Sequence, residues 1–148
     1  MRARTLFSLL AVLALCVGVA GAQDVLINEV DADTESTDVL EFIELYGVPN
    51  TPLDGMVVVL INGSDHLTYE PAAAVDLDGH SLDANGFFLI GCAAVVPTPD
   101  IVFAGLDNQI QNGADAVALF YGDAADYPND SPWTTDNLID AIVYDTDD

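Results

Sequence analysis

Carboxylates are the side chains of this sequence best suited to chemistry, and they are densest in "DADTESTDV", residues 31–39, between two apolar runs. Asp31, Asp33 and Glu35 stand at alternate positions, the spacing a calcium loop uses, and Asp38 follows shortly after. A hard cation such as Ca2+ needs several carboxylate and carbonyl oxygens within reach, and such a loop can supply them. The segment is not an EF-hand. Ser36 occupies the place of the turn glycine, Phe42 that of the bidentate Glu, and strand-like runs stand where helices should flank the loop. Asp31, Asp33, Glu35 and Asp38 are therefore candidate ligands of an irregular calcium site, set against a solvated loop whose charges repel one another. A second acidic group, Asp76, Asp78, Asp83 and Asn85 around Gly79, has a simpler explanation, because Asp-Gly and Asn-Gly pairs form tight turns without any ion.

Other chemistry is thinner. Ser64, Asp65 and His66 are the three residue types of a hydrolytic triad, but three neighbours cannot converge in hydrogen-bonded order, and no glycine-framed nucleophile turn surrounds Ser64. His66 and His80 are too few and too separated for a transition-metal site. Carboxylate pairs of the glycosidase kind abound, yet the chain lacks the size and insertions that build such clefts. Cys92, inside "FFLIGCAAVV", reads as a small buried apolar residue. Asn62-Gly63-Ser64 and Asn129-Asp130-Ser131 are sequons that matter only in a host that glycosylates exported chains. Trp133, Tyr121, Tyr127 and Tyr144 are candidates for a carbohydrate or protein contact patch, with core packing the more ordinary role for such residues.

The elements that must position these groups are strands. Apolar, β-branched and aromatic runs recur at 25–30, 40–46, 56–61, 87–91, 101–104, 116–121 and 138–144, punctuated by Asn-Gly and Asp-Gly turns. About seven short strands predict an all-β, mainly antiparallel, immunoglobulin-like two-sheet sandwich. "EPAAAVDLD" from Glu70, the best helical segment, is short and contains Pro71, so a loop or a single turn is expected. In "LEFIELY" a period of two places Glu41, Ile43 and Leu45 on one face and Phe42, Glu44 and Tyr46 on the other. A carboxylate buried on either face must accept backbone N–H bonds, hold a proton, sit at a wet edge or touch a metal ion.

Residues 1–22 read as an export signal: Arg2 and Arg4, an apolar stretch from Leu6 to Val19, and Ala20-Gly21-Ala22 before Gln23. Cys16 is not a lipidation site, since Leu15 stands where a small residue is required. Cleavage removes both arginines and leaves all 25 Asp and Glu against no Lys or Arg, with His66 and His80 as the only titratable cations. Such a chain repels phosphate backbones, so direct nucleic-acid binding by this segment is excluded. It is not an acidic disordered tail, because 51% of the sequence is hydrophobic and one domain of this length can bury a core. No second apolar run is long enough to span a membrane.

"LINEV", an acidic loop, "EFIELY", "LDG" with an apolar strand, then "GFFLIG" together resemble the lamin-tail domain. The nearest likeness is to the bacterial secreted form found ahead of nucleases of the endonuclease/exonuclease/phosphatase type. "DLDGHSLDANGFFLIG", "QNGADAVALFYGDAADYPN" and "TTDNLIDAIVYDTDD" share that likeness, which covers residues 24–148. The resemblance implies an immunoglobulin-like fold and a non-catalytic accessory or adhesive role. A nuclear function does not carry over, since an export signal precedes the domain and no coiled-coil heptads do. Nuclease chemistry does not carry over either, because it needs the His, Asp and Asn constellation of a separate catalytic domain.

The expectation is thus a secreted, non-enzymatic lamin-tail-type module, residues 23–148, serving as the N-terminal domain of a larger exported protein. Its partners are expected to be an extracellular protein or carbohydrate. Two alternatives stand beside it. In one, the chain is the N-terminal piece of an extracellular nuclease whose catalytic domain lies beyond Asp148, where the sequence ends in an acidic run. In the other, it is a stand-alone calcium-dependent adhesive or carbohydrate-binding sandwich.

Overall fold

The computed structural model describes residues 25–35, 37–69 and 74–145. The export signal expected at residues 1–22 lies outside the described residues, as do Ser36 and residues 70–73 and 146–148.

Among the described residues nine strands build two sheets: β1 Val25–Asp31, β2 Phe42–Gly47, β3 Met56–Asn62, β4 Leu67–Thr68, β5 Ala74–Asp76, β6 Phe87–Gly91, β7 Ile101–Val102, β8 Asp115–Tyr121 and β9 Leu138–Tyr144. One sheet has the order β1-β2-β6-β7; in the other, β4 and β5 both pair with β3, which is followed by β8 and β9. All pairings are antiparallel except β6 with β7. The chain is an immunoglobulin-like all-β sandwich, as its strand spacing predicts. All seven expected strands are present, and β4 and β5 are additional. The segment from Glu70 departs from expectation where it is described. Ala74–Asp76 is a strand, because Val57–Val59 of β3 offers it a free edge to pair with.

The strands form where they do because one face of each is apolar at a period of two. Ile43 and Leu45 of β2 sit opposite Ile90 and Phe88 of β6, and all four are buried in the main core. From the facing sheet come Val58 and Leu60 of β3, paired with Leu119 and Val117 of β8. Each such aliphatic side chain, removed from water, contributes about 1.5–3 kcal/mol before entropy is counted. Where β1 and β9 meet at the edge of the sandwich, Asp140 Oδ2 accepts the Ile27 backbone N–H at 2.9 Å and ties one sheet to the other.

"MVVVLI" and "AVALF" do not alternate, and the reason is that their sheet buries both faces. Residues 122–136 cross its outer face. There a short 3-10 turn, Ala124–Asp126, delivers Tyr127 onto Phe120, ring centroids 4.8 Å apart. Val57, Val59, Ala118, Phe120 and Tyr127 form a second, smaller core beneath this crossing. Thr68 of β4 anchors the crossing: its Oγ1 donates to Pro128 O at 2.7 Å and accepts from Ser131 N at 3.0 Å. Trp133 N donates to His66 O at 3.0 Å, which sets the indole beside the β3–β4 turn.

Candidate functional site

The acidic loop leaves β1 at Asp31, which pairs with Phe42, and returns to β2 through the buried Asp38. Asp33 and Glu35 lie exposed between them. Asp38 Oδ1 accepts Thr34 N at 2.8 Å and its Oδ2 accepts Asn112 Nδ2 at 3.1 Å, so this carboxylate fastens the loop to the approach to β8. Of the four candidate ligands, Asp38 alone borders a polar pocket of about 300 Å³, with Asn108, Gln111 and Asn112.

Glu41, just before β2, faces the core with Ile43 and Leu45, as the alternation requires, and is fully buried. Its Oε2 accepts Gln109 N at 2.6 Å and its Oε1 accepts Ile110 N at 2.9 Å, while the Cys92 thiol donates to Oε2 at 3.5 Å. Burial pushes the Glu41 carboxyl above its ordinary value, against the pull of the two N–H donors. The same burial, with the Glu41 charge beside it, lifts the Cys92 thiol to about 11. Glu41, braced by the Cys92 thiol, holds the 109–110 loop in place. Glu44, on the opposite face, is half-buried and accepts Asn28 Nδ2 at 2.7 Å.

Among the described residues, one group of three acids brings its ligand atoms within 4.8 Å of one another, and it is Asp76, Asp78 and Asp123. Two belong to the second acidic group of the sequence; Asp123, which follows β8, is one that sequence reasoning missed. Backbone pairing of β5 with β3 and of β3 with β8 brings these distant segments together. The three oxygens could hold a hard cation, with carbonyls and water completing its shell. The other two members of that acidic group are engaged in a turn. Asp83 Oδ1 accepts Asn85 N at 2.7 Å and Phe87 N at 2.8 Å. The Phe87 N–H above all holds its carboxyl below the ordinary value.

The triad residue types are separately occupied. Ser64 Oγ donates to Asn62 Oδ1 at 2.7 Å, and Asp65 Oδ1 accepts Leu67 N at 3.0 Å. Asn62 also donates to Gln111 Oε1 at 2.9 Å, so the first sequon serves to shape its own turn. His80 packs edge-on against Phe88, whereas His66 is exposed at the other site described below. Tyr127 and Tyr144 pack, the latter donating its hydroxyl to Gln111 O at 3.0 Å.

Trp133 does not pack in this way. It is 55% exposed and walls an apolar groove of about 290 Å³ on the outer face of the second sheet. The floor follows from the register. Ile61, Ala116 and Val143 form one cross-strand row, and Ala118 and Ala141 lie side by side in the next, with Phe120 beyond. Three of these are alanines, and their short side chains between Trp133 and Val143 make the depth. His66, Thr134 and Thr135 complete the rim beside Trp133. Gly63 closes one end, where a Cβ would collide with the Ala114 carbonyl. The crossing segment covers the Val57–Phe120 half of this face and leaves the Ile61–Val143 half open, with Val143 79% exposed.

Fold and surface together define a small acidic β-sandwich with an apolar groove open to solvent. Neither a protein-family model nor a curated protein matches the chain.

Proposed function

We propose that the chain is a secreted, non-catalytic interaction module of lamin-tail type and that the groove walled by Trp133 is its contact surface. The observation that carries this reading is an apolar floor left open on an otherwise carboxylate-rich sandwich, since an exposed apolar patch with a polar rim marks an interaction site. The lamin-tail assignment draws support from the order of its motifs. "LINEV" falls within β1, "EFIELY" runs from buried Glu41 along β2, and "GFFLIG" leads into β6. Export rests on the signal read in residues 1–22. The alternative of an extracellular nuclease's N-terminal piece rests on the same motifs.

The groove reading is tested with a neutral apolar dye, Nile red, and the Val143→Asp variant. Val143 is so exposed that the substitution leaves the fold intact, which circular dichroism checks. Saturable binding by the native protein, reduced about tenfold or more by the new carboxylate on the floor, is expected. Equal binding by both proteins, or none by the native one, overturns it.

A second reading, calcium binding, is favoured by one observation, the convergence of Asp76, Asp78 and Asp123 from segments far apart in sequence. Its test is thermal and is given with the electrostatics of the whole molecule.

A further inference from the structure

We infer that the occupant of the groove is a cationic segment of a protein partner, one that alternates bulky apolar side chains with Lys or Arg. The inference rests on the groove being the contact surface and goes on to assign its partner. Shape sets the first requirement. A volume of about 290 Å³ lies at the bottom of the range for small-molecule cavities, about 300–1,000 Å³, and suits one or two large side chains entering from an extended chain. Its floor is two parallel cross-strand rows, so a segment lying along them meets the floor with every second residue.

Charge sets the second requirement. The described residues include no Lys or Arg, and the exposed acids Asp65, Asp136 and Asp145 adjoin the groove-lining His66, Thr135 and the end of β9. Asp115 itself lines the groove, buried, with its Oδ1 accepting Gly63 N at 2.8 Å. An anionic partner must bring its charge against this field with no Lys or Arg to meet it and His66 as the one imidazole on the rim, while a basic one is drawn in and held. Residues of the partner segment that alternate with those on the floor face outward, and a Lys or Arg there is long and flexible enough to turn back toward Asp65 and Asp136, the acids that neighbour the groove lining in sequence. A neutral apolar ligand satisfies the floor alone and leaves the rim unused.

Trp133 is the sole tryptophan of the sequence and lines the site, so its emission reports occupancy without a label. The purified protein is titrated with four ten-residue peptides in which Leu alternates with Lys, Leu with Ser, Leu with Glu, and Ser with Lys. The Leu–Lys peptide is expected to shift Trp133 emission to the blue and to bind at least about tenfold tighter than Leu–Ser in low salt, with the gap closing as salt screens the charges. Leu–Glu is expected not to bind. Val143→Asp adds an acid yet removes floor, so it should weaken Leu–Lys binding about tenfold, whereas plain attraction between polyelectrolytes would be unchanged or strengthened. Equal affinity for Leu–Lys and Leu–Ser overturns the cationic partner and leaves the groove reading standing. Equal affinity for Leu–Lys and Ser–Lys, or no weakening by Val143→Asp, overturns it as well. Failure of every Leu-bearing peptide to shift Trp133 overturns both.

Discussion

Glu41 shows how far a single residue is legible. The alternation of "LEFIELY" places this carboxylate toward the core and limits its fate to a few outcomes; the structure supplies the outcome, two backbone N–H donors from residues 109 and 110. No local pattern could name those donors, which lie in the loop between β7 and β8. The bond set makes glutamine a poor isostere here, because its NH2 must face one of the two N–H groups. Glu41→Gln is expected to cost about 1–3 kcal/mol at neutral pH, read by urea unfolding. The pH dependence follows from the raised carboxyl. A folded pKa above the unfolded value of 4.5 means that the native state binds the proton more tightly. The contribution of Glu41 is then complete below 4.5 and declines as pH rises through the folded value. The native-minus-variant stability should accordingly shrink with rising pH. A difference that grows instead would mean that the N–H donors outweigh burial. In the acidic loop, spacing singles out Asp31, Asp33, Glu35 and Asp38, of which Asp38 is bonded to Thr34 and Asn112; among the described residues the acids that converge are Asp76, Asp78 and Asp123, and only strand pairing brings Asp123 near the other two.

At the scale of elements, strands with five or more residues were legible because each buries an apolar face. β7, of only two residues, was legible as well, from the apolar run at 101–104, whereas β4 and β5, of two and three residues, were not and owe their existence to β3 beside them. The groove was half legible. Unbroken apolar runs in β3 and β8 signal a sheet covered on both faces, but which half stays open depends on the path of residues 122–136. Thr68 controls that path. It is 2% exposed, and its hydroxyl and amide make three of the hydrogen bonds that hold residues 128–131. Thr68→Val keeps the shape and the amide but strips the hydroxyl, leaving Ser131 N–H and the Pro128 carbonyl without it. A loss of about 1–3 kcal/mol is expected, together with faster acrylamide quenching of Trp133 as the groove wall loosens. Unchanged quenching would show that the contact of Trp133 N with His66 O positions the indole unaided.

Over the whole molecule charge dominates, formally −23 for the full sequence, with both arginines at positions 2 and 4 outside the described fold. The two sheets must close against this repulsion, and the core with its buried aliphatics supplies the opposing free energy. Mobile ions screen the repulsion over about 10 Å at 0.1 M salt and about 3 Å at 1 M, so the melting temperature should climb with sodium chloride, by a few °C for about each kcal/mol recovered. A cation held by Asp76, Asp78 and Asp123 acts differently. It binds the folded chain alone, because β5 and the end of β8 come together only there, and it stabilises through mass action, by about 2.7 kcal/mol at a hundredfold excess over Kd. Calcium at low millimolar concentration should therefore raise the melting temperature beyond sodium chloride of equal ionic strength, chelation should reverse the excess, and Asp123→Asn should abolish it. Asp123 is exposed and its backbone N–H, which donates to Asp126, survives the substitution, so the variant tests the ion and not the fold. Equal shifts from the two salts would assign the whole stabilisation to screening, and the three acids would then be neighbours that the strand register imposes and salt makes tolerable.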